Sequence, residues 1–576
     1  MSDCSRLNKK LKERFHGRVT ASEERGCLVL RGELDDWQEI VLAGRMSVRK
    51  NRYLGLVNDI VYTGGTVPPM RTPALQDTAL DGQSPDVLII GGGVVGCAIA
   101  RELTRWKLSV LLCEKEHDLA CHASSRNDGM VHPGVDLLPG QVKRRYNLRG
   151  NRMYDQITAE LDVPFHRCGQ YLCFQKLPLA VASFFAPVYF RLIGIPCRFL
   201  GRRSLKRKEP ALTGRIKTAL FFPTAGSVCP YGLTIAYGEN AVDNGARISL
   251  DTAVTAMTVT DGTIRSVSTN RGTLYPKVVV NAAGVFSEDV AQMAGDRFFS
   301  IHPRKGTNSI LDHKSARRIM TIVSSYGTSS TKRMHTKGGG LVHTADDNIL
   351  VGPDAHETYE KENFSTEAQS IRDTFTKQRL TDPKLTEREI ITYFTGIRAA
   401  TYEEDFVITK GKFTKNIVHA AGIQSPGLTA APAIAVDVAQ MTVELLEGEK
   451  KVERNPAFSP ARKAIVHAAA LSDEERGELI ASDPAYGEIV CRCEEVSRGE
   501  IRDALHRSVP CDTLDGVKRR VRPGMGRCQG GFCGPLVLQI IVEETGKALN
   551  EIVKGEAGGN ILLTPVKEAN DGHGIL

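Results

Sequence analysis

The sequence predicts an α/β protein of several domains, and three local patterns support this fold class. A short apolar run from Asp86 to Ile90 precedes a cluster of glycines and fits a strand buried in a parallel sheet. Near the N-terminus, C-L-V-L-R-G-E-L alternates apolar and polar side chains like a half-buried strand. Near the C-terminus, two close pairs of cysteines lie beside helical segments. The 576 residues are enough for two to four domains with a sizeable core.

The first predicted element is a small α/β module at residues 1–62. Residues 63–85 are rich in Pro, Gly and Thr without an apolar period, so they are predicted to be a linker that isolates this module. The stretches G-C-L-V-L-R-G-E-L-D-D-W and L-G-L-V-N-D-I resemble a BON domain. That resemblance implies a strand pair and a helix in a small α/β sandwich.

The second element is a dinucleotide-binding site at the start of a domain spanning residues 86–450. Gly91, Gly93 and Gly96 have the G-x-G-x-x-G spacing, which permits a sharp turn, close approach of a pyrophosphate, and packing of the helix on its strand. The helix N-terminus then faces the phosphates with its amides and dipole. A second strand, Leu108 to Cys113, leads to Glu114, which is placed to accept hydrogen bonds from a ribose.

FAD is favoured over NAD as the dinucleotide. After Glu114, small hydroxyl and amide residues in H-A-S-S-R-N-D-G-M-V-H-P-G are suited to wrapping a long cofactor. Two further strand and glycine-turn segments follow, V-V-V-N-A-A-G-V-F-S and N-I-V-H-A-A-G-I-Q-S-P-G-L-T. No second complete G-x-G-x-x-G for a nicotinamide domain is present in the sequence.

These segments resemble the D-amino-acid-oxidase-like superfamily of FAD enzymes, and within it the glycerol-3-phosphate dehydrogenase and L-2-hydroxyglutarate oxidase branches. Further matching segments are P-R-K-G-T-N-S-I-L-D, G-G-L-V-H-T and G-I-R-A-A. The resemblance implies a Rossmann-like FAD domain interleaved with a mixed-sheet substrate domain. It assigns FAD contacts to Gly91, Gly93, Gly96, Glu114, Ser124, Ser125, Asn127, Gly129, Gly284, Gly422, Gly427, Leu428 and Thr429.

The same resemblance indicates where substrate would bind. A basic residue above the flavin often holds a carboxylate or phosphate in this superfamily, which makes Arg398 the first candidate. His132, Lys305 and His343 are further candidates around the expected pocket. A histidine there could remove a hydroxyl proton near pH 7, whereas a histidine in an ordinary strand or loop contact is the simpler interpretation.

The third element is a cysteine domain at residues 487–555, after a charged, partly helical linker at 451–486 and before a tail at 556–576. Its pattern is C-x-C followed, after 34 residues, by C-x4-C, formed by Cys491, Cys493, Cys528 and Cys533. Two close thiolate pairs can ligate both irons of a 2Fe-2S cluster. Zinc is the alternative, although structural zinc more commonly uses C-x2-C pairs. Cys511 is predicted not to be a ligand.

The cysteine domain resembles the bacterioferritin-associated-ferredoxin-like 2Fe-2S domain, in the form G-M-G-R-C-Q-G-G-F-C found on the large subunit of anaerobic glycerol-3-phosphate dehydrogenases. An S-x-x-E capping box at Ser497 and Glu500 predicts a helix start, and Leu536 to Val542 predicts another helix.

Composition narrows the class of protein further. The polar start lacks a secretory signal, and the longest apolar stretch, Leu88 to Ala100, is too short to span a bilayer, so a cytoplasmic protein without a transmembrane segment is expected. Fourteen cysteines are too dilute for a disulfide scaffold and fit a reducing compartment. The net charge is +8, but its one basic run, Arg202 to Lys208, has no interleaved aromatics and is interpreted as a solvated face. Nucleic-acid binding is not expected.

The combined prediction is an FAD-dependent dehydrogenase for a small anionic hydroxy compound. FAD accepts two electrons as a hydride, whereas an iron–sulfur cluster transfers one at a time, so electrons would leave through the 2Fe-2S cluster to an acceptor protein or a quinone-linked subunit. Peripheral membrane association would then come through that partner. Glycerol 3-phosphate is the first substrate candidate and L-2-hydroxyglutarate the second. A non-catalytic electron carrier or regulatory flavoprotein is the alternative of another class.

Overall fold

The computed structural model describes residues 3–326, 339–448 and 451–564. Along the chain these form an N-terminal module, a parallel-sheet domain interleaved with a mixed-sheet domain, and a C-terminal cysteine domain. This arrangement confirms the predicted α/β fold class with its interleaved second domain.

The N-terminal module is a three-stranded sheet with two helices, one strand and one helix more than the BON resemblance implies. In it β2 pairs antiparallel with β1 and parallel with β3. Its elements are α1 (Asp3–Phe15), β1 (Val19–Glu24), β2 (Cys27–Leu34), α2 (Trp37–Ser47) and β3 (Leu56–Tyr62).

The module is packed against the rest of the chain rather than isolated. Strand β2 is present as predicted, but Cys27 to Leu30 are all buried, because Leu28 and Leu30 face the module core while Cys27 and Val29 pack on the parallel-sheet domain. Tyr402 completes the module core from outside it and accepts a hydrogen bond from Asn58 at 2.8 Å. A Cβ on Gly44 would lie 2.2 Å from the Tyr402 ring, so glycine permits this close contact.

Residues 63–85 contain no helix or strand but lie along the parallel-sheet domain. The backbone N–H groups of Leu80 and Gly82 donate to the carbonyls of Arg271 and Thr273, each at 2.9 Å. The Leu80 side chain is buried. This segment is therefore held in place and does not act as a free tether.

The parallel-sheet domain is built on a six-stranded sheet in the order β12-β5-β4-β16-β24-β23, parallel throughout except for β23. Its strands are β4 (Val87–Ile90), β5 (Val110–Cys113), β12 (Arg247–Ser249), β16 (Val278–Asn281), β23 (Val407–Lys410) and β24 (Ile417–Ala421). The associated helices are α3 (Val94–Leu103), α4 (Val142–Glu160), α7 (Pro230–Asp243), α8 (Ser287–Met293) and α10 (Gly427–Leu446).

Two small antiparallel sheets accompany this domain. One is formed by β13 (Val254–Thr260), β14 (Thr263–Thr269) and β15 (Gly272–Leu274), and the other by β6 (Met130–Val131), β7 (Phe165–His166) and β11 (Gly226–Val228).

Helix α10 is long and apolar enough to cross a membrane by length and composition alone. Its side chains are instead core residues, since Ala430, Ile434 and Val438 are completely buried. The helix packs against α3 and α4. We therefore assign α10 to the protein core.

The mixed-sheet domain is a nine-stranded sheet in which β22 forms a long antiparallel pair with β17. Its strands are β8 (Gln170–Phe174), β9 (Arg198–Gly201), β10 (Thr218–Phe222), β17 (Ile301–Leu311), β18 (Ile322–Tyr326), β19 (Gly340–His343), β20 (Ile349–Gly352), β21 (His356–Glu357) and β22 (Ile390–Thr401). The helices are α5 (Leu177–Leu192), α6 (Arg202–Lys208) and α9 (Ala368–Gln378).

The C-terminal part begins with a segment that follows the parallel-sheet domain and contains α11 (Asp473–Ser482). The cysteine domain comprises β25 (Ile489–Cys491), β26 (Val496–Ser497), α12 (Arg498–Leu505), α13 (Leu514–Val521) and α14 (Gly534–Thr545). The predicted capping box is present at α12, because Ser497 and Glu500 each accept the other's backbone N–H. Of the predicted tail, residues 556–564 contain no helix or strand, and 565–576 lie outside the described residues.

Candidate functional site

The glycine loop between β4 and α3 has the geometry of a phosphate-binding turn. Gly91 has φ +112°, and a Cβ there would lie 2.5 Å from the Ala282 carbonyl oxygen. A Cβ on Gly96 would lie 1.9 Å from the Gly91 carbonyl oxygen. At Gly93 a Cβ would approach only the Ser124 hydroxyl, at 3.1 Å. The first and third glycines are thus required by packing, and the second leaves the start of α3 open to an anion.

Glu114 lies at the end of β5 and faces this loop. Its carboxylate accepts the N–H of Gly92 at 2.5 Å and that of Glu116 at 2.9 Å. Burial raises the pKa of Glu114, although these two hydrogen bonds oppose the shift. The carboxylate is where a ribose hydroxyl would be expected in a dinucleotide site.

Residues after Glu114 pass over the N-terminus of α3. Ser124 Oγ accepts the Val94 N–H at 2.9 Å, so this hydroxyl lies beside the first amides of α3. Ser125 and Asn127 stabilise the loop itself, because Ser125 Oγ donates to the His122 carbonyl and Asn127 Oδ1 accepts the Gly129 N–H.

The remaining predicted cofactor residues lie at the same edge of the sheet. Gly284 follows β16 and Gly422 follows β24, both with positive φ, while Gly427 begins α10. Strands β4, β16 and β24 are parallel neighbours, so their carboxyl ends form one crevice. The Leu428 carbonyl accepts a hydrogen bond from the Tyr154 hydroxyl of α4, and Thr429 Oγ1 accepts the backbone N–H of His132, just after β6. These two contacts join the start of α10 to α4 and to the loop after β6. The donor set and the open glycine loop fit FAD.

Arg398 lies on β22 directly opposite Arg304 on β17. Arg304 is buried and neutralised by Glu357 at 2.9 Å and Glu404 at 2.5 Å. Arg398 donates only to two backbone carbonyls, those of Lys305 at 3.4 Å and Asp354 at 3.2 Å. Burial lowers the pKa of Arg398. Among residues 3–326, 339–448 and 451–564 it makes no ion pair with a carboxylate, so its charge is available to an anionic ligand.

His132 lies at the same end of the mixed sheet as Arg398. Its Nε2 is 3.5 Å from Ser425 Oγ. The neighbouring Gln424 contacts Arg304 at 3.4 Å and donates to Glu404 at 2.8 Å. The loop before α10 therefore connects His132 to the pair of arginines on β17 and β22.

Two of the four substrate-site candidates are placed elsewhere. Lys305 pairs with Ile397, so its side chain is on the opposite face of the sheet from Arg398, where it contacts Asn363 and Ser365. His343 is paired with Ile349 near the far end of β17, in the row of Leu311. Leu311 is seven residues from Arg304 along β17, which corresponds to a distance of about 23 Å.

His343 also has contacts of its own that explain its burial. Its Nδ1 is 2.7 Å from the Ile319 carbonyl and its Nε2 is 3.0 Å from Asp347. The structure thus links His132 to the arginine pair through Ser425 and Gln424, and it separates Lys305 and His343 from Arg398. Lys305 is separated because successive side chains of β17 point to opposite faces of the sheet, and His343 because β19 pairs at the far end of the sheet.

Ser425 and Gln424 are further residues of this region that the sequence patterns did not indicate. Both belong to the I-Q-S-P-G segment, and Ser425 is followed by a cis proline. The sequence signal that could have indicated them is their position, because a polar amide and a hydroxyl lie between the buried strand β24 and the helix α10, which begins at a glycine. Arg304 was also missed, although it immediately precedes the proposed Lys305.

The four cysteines of the C-terminal domain converge. Cys493 Sγ lies 3.7 Å from Cys528 Sγ, and Cys491 is close enough to Cys533 to raise the pKa of that thiol, so each pair joins one cysteine from each motif. Backbone N–H groups of Phe532, Gly530 and Gly531 point at the Cys528 sulfur and lower its pKa. Burial raises the pKa of Cys533 to about 12.

Glycines make room around these sulfurs. A Cβ on Gly526 would lie 2.4 Å from Cys493 Cβ. Four convergent thiols with amide donors fit a 2Fe-2S cluster, since such donors stabilise the negative charge on the sulfurs. Cys511 donates to the Ala504 carbonyl and lies apart from the cysteine pairs.

The cysteine domain is fixed to both other domains by ion pairs. Asp118 of the parallel-sheet domain accepts hydrogen bonds from Arg519 and Arg520 of α13. Arg522, just after α13, binds Asp346 of the mixed-sheet domain at 2.8 Å and Glu494 at 3.0 Å. The cysteine pairs are thus held against the two domains that form the crevice and the arginine pair.

Two family matches agree with this geometry. Residues 86–441 match the family described as FAD dependent oxidoreductase, and residues 489–543 match the family described as BFD-like [2Fe-2S] binding domain. The matches lie within the two regions that carry the glycine crevice and the cysteine pairs.

Individual relatives show the same combination. The chain is 37% identical to a glycerol 3-phosphate dehydrogenase of Caloramator mitchellensis over 487 residues, 84% of this chain and 99% of the relative. It is 24% identical to one of the subunits of the anaerobic glycerol-3-phosphate dehydrogenase from Escherichia coli K12 over 497 residues, 79% of this chain and 87% of that one. A solved structure of FAD-bound, dithionite-reduced L-alpha-glycerophosphate oxidase from Mycoplasma pneumoniae superposes with a TM-score of 0.59 and 26% identity, covering 66% of this chain and 98% of that one.

Proposed function

Because the chain belongs to the family of FAD dependent oxidoreductases, we propose that it is a dehydrogenase that oxidises glycerol 3-phosphate and passes the electrons to an external acceptor. Its cofactors are FAD, held by the crevice at the ends of β4, β16 and β24, and a 2Fe-2S cluster, held by Cys491, Cys493, Cys528 and Cys533.

The unpaired charge of Arg398 is the observation that supports an anionic substrate best. A guanidinium presents parallel N–H donors that match a phosphate, and the site at Arg398 contains no carboxylate partner within the described residues. The relatives named for glycerol 3-phosphate make that phosphate ester the preferred ligand. Arg304 supports Arg398 from the opposite strand without being free to bind, since Glu357 and Glu404 neutralise it.

His132 is the group we assign to the substrate hydroxyl. An imidazole is a suitable base near neutral pH, and its Nε2 faces Ser425 at the start of α10. Asn147 and Asn151 donate to the His132 carbonyl and fix its backbone. When bound, FAD supplies a two-electron acceptor and the 2Fe-2S cluster a one-electron acceptor.

We assign the role of partner to an electron-accepting protein or a quinone-linked subunit, because the relative from E. coli is named as part of a larger enzyme. We place the protein in the cytoplasm, where thiols stay reduced.

Anaerobic reduction of the bound flavin tests the function. The holoenzyme is mixed with glycerol 3-phosphate, L-2-hydroxyglutarate, other hydroxy acids and amino acids, and flavin absorbance is followed. Bleaching by glycerol 3-phosphate at the lowest concentration supports the proposal. Preferential bleaching by L-2-hydroxyglutarate would identify that compound as the substrate instead. No bleaching by any compound would indicate an electron carrier.

Substitution of Arg398 tests the binding role. Arg398→Ala should weaken the binding free energy of the substrate by about 2 to 5 kcal/mol, because a charge-assisted contact to a buried anion is lost. The substrate concentration that half-saturates flavin reduction should rise accordingly. Arg398→Lys keeps the charge and should retain part of the affinity. Arg265→Ala, an exposed arginine on β14, is the matched control. Unchanged half-saturation in Arg398→Ala would remove Arg398 from the site.

A further inference from the structure

Arg304 is one cation that donates to two carboxylates, Glu357 at 2.9 Å and Glu404 at 2.5 Å. Burial would raise the pKa of both carboxyls, but their cationic and hydrogen-bonding partners outweigh it and lower the pKa, so both are ionised at neutral pH. These three side chains therefore carry one negative charge in excess. Glu357, Arg304 and Arg398 lie in one row across β21, β17 and β22. Left uncompensated, the excess charge would oppose binding of an anion at Arg398.

Arg45 of the N-terminal module supplies the missing positive charge. Its guanidinium donates to Oε1 of Glu357 at 2.6 Å, the same oxygen that accepts from Arg304. It also lies 3.9 Å from Glu404. With Arg45 included, the charges of the four side chains cancel. Their exposed fractions lie between 4 and 28%, so salt and water screen these charges only in part.

The position of Arg45 is fixed by the packing of α2 beside the end of β22. Gly44 precedes it and lies against the ring of Tyr402, which a Cβ would approach to 2.2 Å. Tyr402 in turn stacks on His302, with 4.7 Å between the ring centres. His302 Nδ1 is 2.7 Å from Oε2 of Glu357. The module and the mixed sheet thus share one polar cluster, in which both oxygens of Glu357 have partners.

We propose that Arg45 is a positioning residue of the substrate site, through which the N-terminal module acts on substrate binding. It compensates the charge of Glu357 and holds this carboxylate in contacts away from Arg398, which leaves the guanidinium of Arg398 to an anionic ligand. The inference rests on the proposed function, because it takes Arg398 as the residue that binds the phosphate of the substrate. The module is then a working part of the enzyme's own site.

Two further carboxylates act electrostatically on Arg398, and both have partners of their own. Asp354 is paired with His356 at 2.9 Å, and Asp128 accepts a backbone N–H of its own loop at 3.2 Å. Substitution of Arg45 leaves these contacts in place. It changes one charge, the one that is balanced at Glu357.

Binding of inorganic phosphate to the full-length holoenzyme, measured by calorimetry, tests this role. Arg45→Gln leaves one negative charge uncompensated beside Arg398 and should raise the dissociation constant of phosphate about tenfold. The rate of flavin reduction at saturating glycerol 3-phosphate should change by less than about twofold, because the change affects binding rather than the reacting groups. Arg45→Lys keeps the charge and should restore most of the affinity.

A double variant separates charge from structure. In Arg45→Gln with Glu357→Gln, the remaining charges of Arg304 and Glu404 cancel again. If charge is what Arg45 supplies, the affinity for phosphate should return to within about threefold of that of the parent protein. A loss as large as in Arg45→Gln, or larger, would show that the contact is only structural and would overturn the proposal.

Arg18→Gln is the matched control, since this arginine of the same module pairs with Asp35 and Glu39 within the module. It should bind phosphate like the parent protein. Circular dichroism and flavin absorbance should show that every variant is folded and holds FAD. Normal phosphate affinity in Arg45→Gln, with weakened binding in Arg398→Ala, would overturn the role of Arg45 alone. Absence of phosphate binding by the parent protein would instead remove the anion site at Arg398, and with it the proposed function.

Discussion

Asp118 and Arg520 form a buried ion pair that joins the parallel-sheet domain to the cysteine domain. Arg520 donates to both carboxylate oxygens of Asp118, at 2.9 and 3.1 Å, and both side chains are 2% exposed. Arg519 adds a further hydrogen bond at 2.9 Å. This relationship fixes the position of α13, and with it the cysteine pairs, relative to the dinucleotide crevice.

We expect Asp118→Asn to destabilise the protein strongly, because it leaves two arginines without their buried partner. Breaking one side of such a pair costs about 3 to 5 kcal/mol. Thermal unfolding followed by circular dichroism measures the loss, and limited proteolysis shows whether the cysteine domain is released first. The triple variant Asp118→Leu with Arg519→Met and Arg520→Met leaves neither arginine without a partner and should recover much of the stability. Failure to do so would show that these ion pairs are not the main contact.

The same pair predicts a pH dependence. Burial alone would raise the pKa of Asp118, but Arg520 and Arg519 outweigh it and hold the pKa at about 2. Because the folded pKa is below the unfolded value of about 3.9, the stabilisation is present above pH 4 and is lost as the pH falls towards 2. The difference in urea stability between the parent protein and Asp118→Asn should therefore shrink by about 2 to 3 kcal/mol over that range. A difference independent of pH would contradict this assignment.

The glycine loop gives a prediction that separates cofactor binding from folding. Gly93→Val should leave the fold intact and abolish FAD binding, because its side chain enters the open space at the start of α3. Gly96→Ala should instead destabilise the fold, since its Cβ would overlap the Gly91 carbonyl. Flavin absorbance and circular dichroism of the purified variants distinguish the two effects. Gly477→Ala, where a Cβ meets no atom within 4 Å, is the control.

The cysteine pairs predict that flavin reduction and electron transfer to the acceptor can be separated by mutation. Cys528→Ser with Cys533→Ser should abolish turnover with a one-electron acceptor while leaving flavin reduction by substrate nearly unchanged, because the proposed substrate site at Arg398 and His132 lies in other domains. Stopped-flow absorbance measures the flavin step, and iron analysis reports cluster loss. Cys511→Ser should retain iron, since that thiol donates only to a backbone carbonyl. Loss of flavin reduction in a folded, FAD-containing double variant would contradict the proposed electron route.

The sequence predicted those parts of the site that depend on local chemistry. Glycine spacing, the acid after β5 and the two cysteine motifs each describe contacts within short segments, and the structure brings them into the expected crevice and cluster geometry. The failures have non-local causes. Lys305 faces away from Arg398 because of the pleat of β17, and His343 is distant because β19 pairs at the other end of the sheet.

The contact of Tyr402 with the N-terminal module has a consequence for synthesis of the chain. The module leaves the ribosome before the parallel-sheet domain, yet the tyrosine that completes its core follows about 340 residues after β3. Until then the pocket beside Gly44 and Asn58 lacks its ring, and the outer face of β2 lacks the domain that covers it. The hydrophobic core of the module therefore stays incomplete until Tyr402 and the parallel-sheet domain have been synthesised.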